Sequence, residues 1–140
     1  VLPLVAGLFV LVEALASTGV IAMLARWLAA SAARSPSVTA GVAGTILAFG
    51  SNLMNNLPAG LIASTTLQQA HVPQIVTDGL LIGVDLGPNL SITGSLATIL
   101  WLTAIRREGE DVGFWRFLKV GALVMPPALF AALGARLLLG

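Results

Sequence analysis

Gly83-Val84-Asp85-Leu86-Gly87-Pro88-Asn89-Leu90-Ser91-Ile92-Thr93-Gly94-Ser95 places a carboxylate, amide and hydroxyl groups, three glycines and a proline within an otherwise lipid-soluble sequence. Polar, irregular backbone is costly in hydrocarbon. It is tolerated where protein buries it or where it lines a polar cavity, and such cavities hold substrates and coupling ions in transporters. The stretch therefore reads as a break in a membrane-spanning helix.

Composition supports a bilayer setting. The chain has 140 residues, of which 57% are hydrophobic and 9% charged, with a mean hydropathy of +0.97. A soluble domain carries about 25% charged residues. The net charge of +1 offers no basic patch for nucleic acid. With no cysteine, the segment has no disulfide and no thiolate site.

Working outward from the break, Ile75–Val84 and Ser95–Ile105 are each about half a membrane long, and together they predict one discontinuous span over 75–105. Upstream, Val38–Gly50 predicts a helix too short to cross. It ends at Ser51-Asn52-Leu53-Met54-Asn55-Asn56-Leu57-Pro58, where three asparagines and a proline predict a helix break. Ala59–Leu67 follows, so 38–68 reads as a re-entrant hairpin with a polar tip. Pro3 to Trp27 predicts one continuous span, closed by Arg26 and Trp27 at an interface. Phe114–Leu139 predicts the last span, kinked at Pro126-Pro127.

Arg106, Arg107, Arg116 and Lys119 cluster around one connection, which the positive-inside tendency makes cytoplasmic. A hairpin over 38–68 then puts the connections near Arg34 and His71 together on the external side. Val1–Ala30 is too long for a signal-peptide core and lacks a basic leader, so it reads as a true span. Transporters of this kind are built from two related halves. The expected fold class is therefore an all-α polytopic membrane protein, one half of an inverted-repeat transporter, completed by an N-terminal half outside these residues.

The two breaks can meet near the bilayer midplane, with Ser51, Asn52, Asn55 and Asn56 facing Asp85, Asn89, Ser91, Thr93 and Ser95. Amides and hydroxyls both donate and accept, which suits a small neutral polyhydroxy solute or Na⁺. The alternative is that these groups only satisfy broken helix ends. Desolvation raises a carboxylate pKa, so a buried Asp85 is a candidate proton carrier; the alternative is a permanently ionised cap. Glu13 reads as a groove-facing carboxylate or a second protonation site, and His71 as a solvated loop residue. Gly79-x-x-x-Gly83 and the row Ala40, Gly44, Ala48 are close-packing signals. No nucleophile–base pair, metal-ligand set or cofactor motif is visible, so the segment is not expected to be an enzyme.

Ser51-Asn52-Leu53-Met54-Asn55-Asn56-Leu57-Pro58 resembles the Ser-x-x-Met-Asn-Asn-x-Pro break of the arsenical pump membrane protein (ArsB) family of the ion transporter superfamily. Gly83-Val84-Asp85-Leu86-Gly87-Pro88, Thr93-Gly94-Ser95-Leu96-Ala97-Thr98 and Leu100-Trp101 resemble its second signature, in order and spacing. The resemblance covers nearly the whole chain, as the C-terminal third to half of such a pump. It implies efflux of arsenite and antimonite across the inner membrane in exchange for protons, with an ArsA-type ATPase as a possible partner of family members. It also implies Ser51, Asn52, Asn55, Asn56, Asn89, Thr93 and Ser95 as substrate-binding positions and Asp85 as the proton-coupling one. Asn89 departs from the pattern, since a basic residue is common there. The absence of cysteine suits a substrate handled as a neutral trihydroxide.

Two rival readings share parts of this pattern. A Na⁺-coupled carboxylate or Na⁺/H⁺ transporter of the same superfamily would share both breaks, although a carboxylate substrate wants a nearby cation and the midplane has no Lys or Arg. A non-transporting membrane subunit would have no reason to break two helices at one depth.

Overall fold

A computed structural model describes residues 2–139. Its described residues form seven α-helices: α1 (Leu2–Ser17), α2 (Val20–Arg34), α3 (Pro36–Met54), α4 (Asn56–Ala70), α5 (Gln74–Leu86), α6 (Leu96–Arg107) and α7 (Phe114–Leu139). Two 3₁₀ turns, Gly87–Asn89 and Ile92–Gly94, join α5 to α6. Helices α3 and α7 are long and apolar enough to cross a membrane, and the bent pair α1–α2 adds a third candidate. The protein is an all-α polytopic membrane segment.

The stretch expected as one span over Pro3–Trp27 is two helices meeting at 72°. Gly19 makes the bend by adopting φ 88°, a left-handed geometry open to glycine without steric cost. The expectation that Val38–Gly50 is too short to cross is also corrected. Ser35 caps the N-terminus of α3 by accepting from the Val38 amide, with Pro36 in the first turn. At the other end, the Ser51 hydroxyl and the Asn52 amide donate to the Ala48 carbonyl, so helix geometry continues through both polar residues. The result is 19 residues, about 28 Å. Helix α7 continues through Pro126 and Pro127 without interruption.

Helices α3 and α5 run parallel in tight contact. A Cβ added at Gly79 would lie 2.6 Å from the Ala40 carbonyl oxygen, and one at Gly44 would lie 2.5 Å from that of Gly79. Cβ atoms at Gly83 and Gly87 would overlap the backbones of Gly44 and Ala48. The pairs Ala40–Gly79, Gly44–Gly83 and Ala48–Gly87 advance together by four residues, which fixes both direction and register. Small side chains at this spacing let two helix backbones touch. Because α3 and α5 point the same way, α4 is the return limb of a hairpin, and the α2–α3 and α4–α5 connections lie on one side.

Helix α7 runs antiparallel to α5. Gly121 abuts the carbonyls of Leu90 and Asn89, and Arg136 reaches Asp78 thirteen residues before Ser91 in sequence. Ala48, Met125, Leu129 and Leu133 form a core between α3 and α7, joined by Ile82, Leu86 and Leu90. A second core gathers Ala25, Leu28, Ala43, Val76 and Leu80 from α2, α3 and α5. Large apolar side chains such as Phe9, Leu123 and Phe130 point outward, as expected for contact with lipid or with further protein.

Candidate functional site

The zipper of small residues ends where its next step would fall, at Asn52 on α3 and Ser91 after α5. Here packing gives way to hydrogen bonding. Asn52 Nδ2 donates to the Gly87 carbonyl at 2.8 Å and to the Ala48 carbonyl at 3.0 Å. Its Oδ1 accepts from the Ser91 amide at 3.1 Å and the Ser91 hydroxyl at 2.9 Å. An asparagine side chain offers two donors and two acceptor lone pairs, so Asn52 is saturated. Thr93 completes the clip by donating to the Asn52 carbonyl at 2.8 Å. Gly94 is required beside it, because a Cβ there would stand 2.5 Å from Asn52 Oδ1.

The hairpin tip is one residue wide. Asn55 holds φ 80° and ψ 154°, a region populated almost only by glycine, at a cost of about 1–3 kcal/mol. Its side chain offsets this in two ways: Oδ1 accepts from the Leu57 amide and caps α4, and Nδ2 donates to the Thr93 carbonyl. Pro58 then sits in the first turn of α4, where its missing N–H leaves no helical bond unmade. The break lies at Asn55, before the proline rather than at it.

The second break is also displaced from its expected place. Asp85 is helical, one turn before the break. Gly87 and Pro88 keep near-helical geometry, and the chain first becomes extended at Ser91 (φ −135°, ψ 162°) and again at Ser95 (φ −145°, ψ 138°). A proline in the first turn of a 3₁₀ helix fits its fixed φ and does not unwind α5. Ser95 caps α6 by accepting from the Ala97 amide.

The structure thus brings Ser51, Asn52, Asn55, Ser91 and Thr93 together and leaves the other expected site residues outside the clip. Ser51 is buried, with its hydroxyl on the Ala48 carbonyl. Among the described residues, the Asp85 carboxylate and the Asn56 amide make no hydrogen bond. Asp85 and Asn89 lie exposed on one face of α5, tied by Asn89 Nδ2 donating to the carbonyls of Asp85 and Leu86. On the other side of the clip, Asn52, Ser91 and Thr93 border an open groove of about 730 Å³ whose remaining walls are mostly apolar, among them Phe49, Leu53 and Phe114. Glu13 and His71 are both exposed, and His71 ends α4 in left-handed geometry.

Asp78 and Arg136 escape a reading built on breaks. Arg136 Nε donates to Asp78 Oδ2 at 2.7 Å, and Gln74 Nε2 donates to the other carboxylate oxygen at 2.8 Å. Both charged side chains are about three-quarters covered. Their signal was an acid and a base each set within an apolar stretch, a combination that bilayer energetics drives to pair.

Parallel helices clipped at two polar breaks, with a third helix packed against the junction, define a polytopic helical membrane segment organised around a polar junction. The family model described as arsenical pump membrane protein (ArsB) matches residues 1–139, and the chain belongs to that family. It is 30% identical over 96 residues to the arsenical pump membrane protein of Escherichia coli K12, covering 66% of this chain and 22% of that protein. The arsenical pump membrane protein of Yersinia enterocolitica gives the same figures. An uncharacterized transporter of Mycobacterium tuberculosis is 32% identical over 133 residues, covering 89% of this chain and 31% of its own length. The chain thus spans between a fifth and a third of these relatives. No solved structure matches it.

Proposed function

We propose that this chain is part of an inner-membrane efflux transporter for arsenite and antimonite, which exchanges the metalloid for protons. The observation that carries the reading is the Asn52 clip, which holds two helix breaks together inside the apolar segment of an arsenical-pump family member. At neutral pH the trivalent hydroxides are small, uncharged donors and acceptors, matched to amides and hydroxyls rather than to a fixed charge.

Within that reading the polar residues divide the work. Asn52, Ser51, Ser91 and Thr93 hold the breaks in register. Asn55, Asn56, Asn89 and Ser95 keep free donor or acceptor capacity for the solute. Asp85 supplies the exchangeable proton. Rocking of this segment against the remainder of the transporter alternates access, and an ArsA-type ATPase is a candidate partner on the face bearing Arg106 and Arg116.

Asp85→Asn in the full-length transporter is expected to abolish proton-coupled arsenite export from everted vesicles while leaving protein abundance intact. Unchanged metalloid resistance would remove Asp85 from the mechanism. Export that follows a sodium gradient instead would favour the Na⁺-coupled carboxylate or Na⁺/H⁺ reading.

A further inference from the structure

Helix α5 has two contrasting faces. Val76, Gly79, Gly83 and Gly87 press against α3. Gln74, Asp78, Leu81, Asp85 and Asn89 recur at three- and four-residue steps, within about 80° of arc on the opposite face. Asn89 stays on this stripe although it lies in a 3₁₀ turn, because its amide donates back to Asp85 and Leu86. All five are exposed or partly exposed, Leu81 at 54%. Four of the five are polar, in a helix that otherwise reads as membrane-embedded.

From this stripe we infer a water-filled route for a small neutral solute, running along α5 from the Asp85–Asn89 end to the Gln74 end. The inference rests on the transport reading above and adds the path the solute takes. A row of polar groups has no partner in lipid, and intramembrane polar groups face protein or a wet cavity. Two further observations fit a cavity. Beside the stripe, α4 and α5 border an open groove of about 380 Å³; Leu81 is the stripe residue that lines it, and Ser64, Gln68 and Thr77 add polar groups to a wall otherwise apolar, with Leu67, Leu80 and Val84. Farther along, Arg136 on α7 neutralises Asp78. An uncharged hydroxide can exchange hydrogen bonds with the polar groups of such a wall, and the Asp78 end holds no unpaired charge.

The test is thiol labelling in the full-length transporter, cleared of native cysteines. Leu81→Cys and Gln74→Cys stand on the stripe; Leu123→Cys and Phe130→Cys stand on the outward apolar face of α7 and serve as controls. A membrane-impermeant thiosulfonate applied to intact cells is expected to modify the stripe positions about tenfold faster than the controls. All four should react equally after denaturation in detergent, which keeps the comparison valid if one variant folds poorly. Stripe positions as slow as the controls in the membrane, yet reactive after denaturation, would overturn the route. Arsenite at saturating concentration should slow labelling of Leu81→Cys, which supports both route and substrate. Rapid labelling indifferent to arsenite would leave the route standing and remove the metalloid from it.

Discussion

Gly19 and Asn55 both turn the chain sharply between two helices, with nearly the same φ of 88° and 80°. Gly19 does so without side-chain help: the N-terminus of α2 has no side-chain cap, and a Cβ added there would meet nothing within 4 Å. Asn55 adopts a geometry that glycine would hold more cheaply, and its side chain caps α4 and reaches across to Thr93. The first bend is an elbow set by backbone freedom. The second is a joint whose position relative to another helix is fixed. A strained residue kept in place by its own hydrogen bonds marks where the fold requires accuracy.

The largest expected effect tests whether α3–α5 contact is what fixes that joint. Gly87→Ala drives a methyl group into the Ala48 backbone and pushes the Gly87 carbonyl away from Asn52. Backbone cannot rotate aside as a side chain does, so a loss of about 3 kcal/mol or more is expected, read as thermal stability of the purified full-length protein. Gly19→Ala should cost only about 1 kcal/mol, from the positive φ alone. Equal losses at the two positions would erase the distinction between elbow and joint.

Next in size is Asn52→Leu, nearly isosteric but unable to hydrogen-bond. It leaves the Gly87 carbonyl and the Ser91 amide without their partner, each buried polar group costing about 1–3 kcal/mol. Asn52→Asp keeps the acceptor for Ser91 but turns an oxygen toward two carbonyls, and should also destabilise. If both variants keep full stability but lose export, Asn52 binds solute directly and does not act as the clip.

These effects explain how much could be read beforehand. The Gly79-x-x-x-Gly83 spacing and the Ala40, Gly44, Ala48 row announced close packing, because small residues at four-residue steps have one strong structural use. The identity of both polar breaks was equally legible. Their exact placement was not, since Pro88 and Pro58 each sit in a first turn where proline is tolerated, and local propensity cannot distinguish that from a break. The Gly19 bend was hidden in apolar residues whose composition is the same for one helix or two. The Asp78–Arg136 pair spans 58 residues and depends on the register of α7 against α5, which no local pattern encodes.

Asn55→Gly sharpens the comparison at about 1 kcal/mol. Glycine removes the strain but also the cap and the Thr93 bond, so the net change should be small, whereas Asn55→Ala keeps the strain, loses both bonds and should cost about 2 kcal/mol. His71, the other non-glycine residue at positive φ, gives the contrast: it is exposed and ends α4 at φ 51°. His71→Gly should stabilise by about 1 kcal/mol, since no described contact of the imidazole is lost. Denaturation midpoints of the three variants would rank them; a stabilising Asn55→Gly would mean that the tie to Thr93 contributes little.

The weakest tie belongs to the loop between α6 and α7. Arg106 Nε donates to Asp111 at 2.7 Å, and this hydrogen bond, with the guanidinium charge, holds the carboxyl below the usual carboxylate range. A pKa depressed on folding stabilises the folded loop above the unfolded value of about 3.9, and the contribution fades as pH falls through the lower folded pKa. Both side chains are more than half exposed, so salt screens the pair and its effect stays local. Hydrogen exchange of the Gly109–Val112 amides, corrected for intrinsic pH dependence, should lose protection on acidification below about pH 4. Asp111→Asn should lack that response while Asp85→Asn retains it. A loop equally protected in Asp111→Asn would show that the turn at Gly109, with its φ of 85°, holds the connection without the ion pair.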